Sequence, residues 1–315
     1  LNKPLIFMAP LQGITDSLFR RVFNDHFPEL DGAVAPFINP HRGELVSDKL
    51  LRDLLPERSC SLPVVPQLLT TDPPGFLALA NRLHELGYAE VNWNLGCPAP
   101  MVARKRRGSG LLPYPDQIID LLEQVMPQLR PRLSIKMRLG YHDPREAHLL
   151  LPRLDNFPLT EIIIHARLGA QLYRGSAAPD EFARCLGLTR HRLAYNGDMT
   201  SLEGYRFLAA RFGEVNRWMI GRGLLANPFL PGEIKGIIGT EEQRRTALAS
   251  FHDALFAALA ERLSGPGHLL GRMKQVWIYL IHAFPGTEKP FKKLIRASSI
   301  GSYQQAARAI IEAGC

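Results

Sequence analysis

Between residues 5 and 222, short apolar runs alternate with polar turns. They are LIFMA (5 to 9), GAVAPF (32 to 37), PVVPQL (63 to 68), AEVNWN (89 to 94), LSIKMR (133 to 138), EIIIHA (161 to 166), RLAYNG (192 to 197) and RWMIGR (217 to 222). Continuous runs of this length suit strands covered on both faces. Each except the second leads into a stretch with helical period, as in PGFLALANRLHELG, PDQIIDLLEQVMPQL and LEGYRFLAARFG. Repeated strand, turn and amphipathic helix predict parallel strands under helices, and eight units predict an α/β (β/α)8 TIM barrel. The competing fold is an open doubly wound sheet, but LIFMAPLQG runs into ITDSLFRRVF without a GxGxxG.

The pattern changes after PFLPGEIKGIIGT (228 to 240). Helical period then covers 241 to 263 and 269 to 284, begins again at 290, and returns from 302 to 313. This predicts a barrel domain over residues 1–238 and an all-helical bundle domain over 239–315, joined by the Gly- and Pro-containing stretch.

In a barrel of this kind, the strand C-termini face the active-site mouth. Those ends carry Gln67, Asn92, Asn94, Lys136, Arg138, His165 and Asn196. Any one of them could simply bond a loop. Several on one face indicate a site, since an unpartnered buried polar group costs about 1–3 kcal/mol.

Composition adds a direction to this picture. The chain of 315 residues has a formal net charge of +8 and is 46% apolar, enough to fill a large core. Residues 241 to 315 hold ten Lys or Arg against six Asp or Glu. The surplus is sharpest at Arg272, Lys274, Lys289, Lys292, Lys293 and Arg296, opposed only by Glu288, a candidate phosphate-backbone surface. Trp277 and Tyr279 could add stacking there, although core packing is the simpler role for them. A second basic run, Arg104-Lys105-Arg106-Arg107, lies beside the expected mouth. It is either a solvated turn or a site for a polyanion.

Cys60, Cys97, Cys185 and Cys315 are far apart and form no CxxC, so they suggest neither a disulfide framework nor a thiolate zinc cluster. No leader or membrane-length apolar run is recognisable. The expectation is a soluble, cytoplasmic, monomeric protein.

Glycine turns follow the seventh and eighth runs, in AYNGDMTS (194 to 201) and MIGRGLLANP (219 to 228). Loops at these places in a barrel often bind phosphate, and Gly197, Gly221, Gly223 and Arg222 suit that task. Metal motifs and a P-loop are absent, so no metal is expected. Flavin mononucleotide (FMN) accounts for the parts together, with its phosphate at these turns and its ring edge met by Gln67, Lys136 and His165.

MAPLQGITD (8 to 16), NWNLGCPAP (92 to 100) with the RKRRGSGLL after it, IKMRLG (135 to 140), IIIHAR (162 to 167), YNGD (195 to 198) and IGRGLLANP (220 to 228) together resemble the tRNA-dihydrouridine synthase family. The helical tail is most similar to its bacterial C subtype. The resemblance implies an FMN barrel, a helical tRNA-binding domain and NADPH as reductant. It also implies that Ala9, Pro10 and Leu11 line the flavin and that Gln67 meets its pyrimidine portion. Lys136 and His165 fall on ring contacts, and Asn196, Gly197, Asp198, Gly221, Arg222 and Gly223 fall on the phosphate side. Asn94 matches the substrate-side asparagine and Cys97 the catalytic acid. Arg106 and Arg107 stand where the family more commonly has small residues.

Reducing uridine to 5,6-dihydrouridine requires a hydride at C6 and a proton at C5. A thiol opposite the flavin could give the proton, and an extruded base would have to reach it. Two alternatives stand beside this reading. One is an FMN-dependent oxidoreductase of a free pyrimidine, which has no use for the basic tail. The other is a noncatalytic tRNA-binding factor, which has no use for Cys97. The C-type resemblance implies position 16 in the tRNA D-loop.

Overall fold

All ladder contacts among the described residues are parallel, and they run around a circle. The computed structural model describes residues 3–40, 46–58 and 61–314; Cys60 and Cys315 lie outside them. The strands are β1 (Leu5–Met8), β2 (Gly32–Val34), β3 (Val64–Val65), β4 (Gln67–Leu68), β5 (Glu90–Leu95), β6 (Arg132–Gly140), β7 (Leu159–Leu168), β8 (Leu193–Asn196) and β9 (Arg217–Ile220). Their spatial order is β3-β2-β1-β9-β8-β7-β6-β5-β4. The two ends of that order, β3 and β4, are one run of chain divided at Pro66, which has no N–H to give the ladder. Val65 pairs with Val34 and Gln67 with Asn92, so this divided strand closes the barrel. The structure is therefore the expected eight-position TIM barrel.

The interior explains where a ligand can enter. Ala9, Val34, Ile163, Ala194 and Met219 pack together inside the barrel, with Phe7 and Val65 against them. At the N-terminal end of the strands, Arg217 ion-pairs with Glu161 and lies over the Phe7 ring, which closes the bottom. Small Ala9 stands at the upper end, where it lines an open cleft.

The tail has the four expected helices, Glu241–Arg262, Pro266–Leu280, Glu288–Arg296 and Ile300–Glu312. Thr240 with Gln243 and Ser299 with Ser302 form capping boxes, which satisfy the free N–H groups at two of their starts. The first of these helices packs on Ser17–His26. Phe251 sits 6.0, 5.8 and 5.4 Å from the rings of Phe19, Phe23 and Phe27. Trp277 is wholly buried and donates to the Tyr303 hydroxyl at 2.9 Å, a core role. One hydrophobic cluster runs through both the barrel's helical layer and the tail.

The stretch read as a linker is folded. Leu230–Ile234 is helical, Leu230 is buried, and Lys235 pairs with Asp31 at 2.8 Å. Glu233 receives Asn227 at 2.9 Å and Arg244 at 2.6 Å. Its Gly and Pro residues shape a packed turn. Among the described residues no helix is long and apolar enough to cross a membrane.

Candidate active site

A cleft of about 340 Å³ opens at the C-terminal ends of the strands. Ala9, Pro10, Leu11, Lys136, His165, Asn196, Gly197, Asp198, Gly221, Arg222 and Gly223 all line it, so the expected cofactor-side residues converge with the exception of Gln67. Tyr279 and His282 reach it from the tail. The tail also supports the first loop from behind. Arg272 donates to the Ile14 carbonyl at 2.6 Å and pairs with Asp16 at 3.4 Å, just after the Ala9 to Leu11 segment.

Gln67 belongs to a buried amide chain. Asn94 Nδ2 donates to Gln67 Oε1 at 2.7 Å, Gln67 Nε2 to Asn92 Oδ1 at 2.8 Å, and Asn92 Nδ2 to Ser134 Oγ at 2.9 Å. Asn94 Oδ1 accepts from the N–H groups of Gly96 at 3.0 Å and Cys97 at 2.8 Å. Both lone pairs of that oxygen are thus engaged, leaving one amide N–H of Asn94 for a ligand. The NxNxGCP stretch is a turn built by its second asparagine. It presents Cys97 at the end of β5, half-buried with its thiol free.

Two cations stand near that thiol. Lys136 donates to Asn196 Oδ1 at 2.9 Å, and Asn196 in turn donates to the Met219 carbonyl at 2.8 Å. Arg138 is buried and holds the carbonyls of Gly96 at 3.1 Å and Leu168 at 2.7 Å, bracing the cysteine turn. Burial raises the Cys97 pKa above its ordinary value of 9.0, opposed by the Ala99 backbone and by Arg138 and Lys136. The thiol is protonated at neutral pH.

Burial, with Arg138 beside it, lowers the Lys136 pKa to about 7. Its linkage has a definite sign. From about pH 7 to 10.5 the unfolded chain holds a proton that the folded chain has released, so this lysine makes stability rise with pH across that window. Cofactor-free wild-type protein should therefore gain stability relative to Lys136→Met between pH 7 and about 9.5 in urea unfolding. Parallel pH profiles for the two proteins would contradict the shifted lysine.

His165 is held well below its ordinary value by desolvation and by Lys136, Arg138, Arg167 and Arg222. Arg167 can only donate, so its Nη1 contact at 3.4 Å makes His165 Nε2 the acceptor of a neutral ring. Arg167 also resolves the presence of a carboxylate in a glycine turn expected to hold phosphate. It grips Asp198 through two bonds, of 2.9 and 2.5 Å, and Arg222 approaches the same carboxylate at 3.3 Å. Two cations on one carboxylate leave that wall positive.

Neither Arg138 nor Arg167 is assigned a role in the site by the sequence reading. Arg138 was visible as a polar strand end, and both stand inside quoted motifs, IKMRLG and IIIHAR. Their carbonyl and carboxylate partners come from distant loops, so the motifs alone do not reveal their work.

The basic residues divide into two groups. Arg104, Lys105 and Arg106 are exposed at a turn, while Arg107 donates to Asn39 Oδ1 at 3.0 Å. In the tail, Lys289, Lys292, Lys293 and Arg296 are exposed on one helix. Arg272 is engaged as described, and Lys274 donates to the Ala297 carbonyl at 2.6 Å, so these two serve the fold. Among the described residues no group of three or more His, Cys, Asp or Glu could hold a metal ion.

Fold and cleft define a parallel barrel with a polar, cation-rich mouth. The family model described as dihydrouridine synthase (Dus) matches residues 7–295, and the chain belongs to that family. It is 28% identical to a tRNA-dihydrouridine(16) synthase of Pseudomonas putida over 92% of each chain. The corresponding protein of Shewanella oneidensis is 29% identical, again over 92% of each. A tRNA-dihydrouridine synthase B of Pasteurella multocida is 29% identical over 72% of this chain and 68% of its own. Among solved structures, histamine dehydrogenase from Rhizobium sp. 4-9 superposes with a TM-score of 0.52 at 12% identity, covering 79% of this chain and 48% of that one. An old yellow enzyme homologue from Zymomonas mobilis gives 0.50 at 12% identity over 76% and 91%. At such identity these two speak to the barrel alone.

Proposed function

We propose that this protein reduces uridine to 5,6-dihydrouridine in tRNA, at position 16 of the D-loop, with FMN as cofactor and NADPH as reductant. The observation that carries this reading is a protonated thiol, Cys97, on a braced turn after β5 with Lys136 and Arg138 as its charged neighbours, Lys136 itself lining the cleft together with Asn196 and the glycine turns. Similarity along nearly the full length to tRNA-dihydrouridine(16) synthases supports the choice of position.

The cleft suits FMN. Its volume of about 340 Å³ falls within the usual range for small-molecule sites. Ala9, Pro10 and the glycines give a flat approach, and Arg222 with Arg167 offsets Asp198 where a phosphate would rest. Bound reduced flavin supplies the hydride for C6 of the base.

The chain's own residues do the rest. Lys136, oriented by Asn196, and neutral His165 hold and polarise the ring edge. The remaining N–H of Asn94 is available to the base. Cys97 gives its proton to C5, and the positive charge of Lys136 and Arg138 stabilises the thiolate left behind. The exposed cations hold the RNA backbone while the cleft selects the extruded base.

Mapping of dihydrouridine by mass spectrometry, after unmodified tRNA is incubated with the purified protein and NADPH, tests the reading. Modification is expected at position 16. Turnover of a free pyrimidine without tRNA modification, or tRNA binding without reduction, would overturn it.

Lys292 and Lys293 give a separate check on the tail. Replacing both with alanine is expected to weaken tRNA binding and to flatten the dependence of log K on log salt by somewhat less than one unit per lost contact. An unchanged salt slope in a folded variant would make them a solvated face.

A further inference from the structure

The basic turn and the Cys97 thiol belong to one folded segment. Pro100–Ala103 makes a single helical turn, residues 104–106 reverse the chain, and Gly108–Leu111 returns it against the cysteine. The return is tight. A Cβ on Gly108 would lie 2.6 Å from the Cys97 carbonyl oxygen, and one on Gly110 would lie 2.3 Å from that of Ala103. Buried Ser109 donates to the Cys97 carbonyl from both its N–H and its Oγ, each at 3.0 Å. The carbonyl has two lone pairs, and one residue occupies both.

The outer end of the same segment carries its charge without an acidic partner: among the described residues no acidic side chain ion-pairs with Arg104, Lys105 or Arg106. Arg106 has φ +50, a conformation that costs a residue with a side chain roughly 1–3 kcal/mol. Its guanidinium lies 4.3 Å from the centroid of the exposed Tyr114 ring. Glycine would take that φ without strain. Arginine there places an exposed, stacked cation on the same folded segment as the thiol. A forked donor of this kind matches a phosphate.

We propose that Arg106, stacked on Tyr114 and flanked by Arg104 and Lys105, binds a backbone phosphate adjoining the target nucleotide, and that Ser109 couples this contact to the position of Cys97. The proposal rests on the RNA substrate argued above. A phosphate contact alone positions a strand without reading its sequence. Tied to the proton donor, it also sets which nucleotide meets the thiol. Ser109 is then a positioning residue, acting through the Cys97 backbone.

The test uses cofactor-loaded protein and unmodified tRNA transcript, with Arg106→Gly, Ser109→Ala and the double variant. It measures affinity against salt, the single-turnover rate at saturating tRNA, and alkylation of Cys97 by iodoacetamide resolved by peptide mass spectrometry. Arg106→Gly relieves the strained φ, so folding is preserved. It is expected to weaken binding about threefold to tenfold, to lower the salt slope by about 0.9 or less, and to reduce the saturated rate. Ser109→Ala should leave affinity and slope at wild-type values, cut the saturated rate about tenfold or more, and change the rate of Cys97 alkylation. In the double variant the affinity loss should persist, while the rate loss specific to Arg106→Gly should disappear. Unchanged affinity and slope in Arg106→Gly would overturn the phosphate contact, and simply additive rate losses would overturn the coupling. Failure of the wild type itself to reduce tRNA would instead defeat the proposed function.

Discussion

Cys97→Ala should slow the single-turnover reduction of tRNA uridine by about 10²- to 10⁴-fold, the usual contribution of a positioned general acid. The argument begins with protonation. An acid must hold its proton when the base arrives, and burial keeps the Cys97 thiol neutral although Arg138 and Lys136 both favour the thiolate. Those same cations ease release once proton transfer begins. Activity limited by this group should be flat through neutral pH and fall only above the ordinary thiol value of 9.0. A limb near pH 7 would belong to Lys136 and should survive in Cys97→Ala. Cofactor content, read from visible absorbance, checks that the variant is folded. A wild-type single-turnover rate in the variant would remove Cys97 as the proton donor.

The same thiol shows how far the sequence could be read. Parallel strands buried on both faces leave continuous apolar runs, so the barrel strands were legible, as was the polar character of their C-terminal ends. The exception within the barrel is PVVPQL, where Pro66 divides one strand into β3 and β4 and each half pairs with a different neighbour. The cysteine turn was legible as a motif. Its bracing was not, because Arg138 reaches carbonyls of Gly96 and Leu168, the latter 30 residues away in the chain.

Charge was less informative than spacing for the same reason. Arg272 and Lys289 look alike in a count, but Arg272 bonds to Ile14, 258 residues earlier, whereas Lys289 is exposed. Only tertiary structure separates a cation that ties the tail to the cleft from one that faces solvent. The arrival of Tyr279 and His282 at the cleft depends on the same packing, as does the folding of residues 228–240. A glycine- and proline-containing stretch forms either a spacer or a compact turn according to what it meets, and here it meets Asp31 and Arg244.

Gly223→Ala is expected to weaken FMN retention by about ten- to a hundredfold, which corresponds to the roughly 1–3 kcal/mol typical of overpacking a fixed site. The added methyl would sit 1.9 Å from the Met199 carbonyl oxygen and 3.0 Å from Ile220 Cγ2. The first obstacle is backbone, which cannot swing aside as a side chain can. The loop after β9 must therefore move away from the loop after β8, and these two loops form the proposed phosphate side of the cleft. Gly271 supplies the contrast, because it lies on an exposed part of helix Pro266–Leu280 with nothing within 4 Å of a new Cβ. Gly271→Ala should leave flavin affinity alone and raise the melting temperature slightly, since alanine is favoured over glycine in helices by about 1 kcal/mol. Titrating FMN into cofactor-free proteins, with melting of the same samples, separates local displacement from general unfolding. Wild-type affinity in Gly223→Ala would show that the phosphate is held elsewhere, whereas a loss of affinity in a variant that still melts cooperatively places it between the two glycine turns.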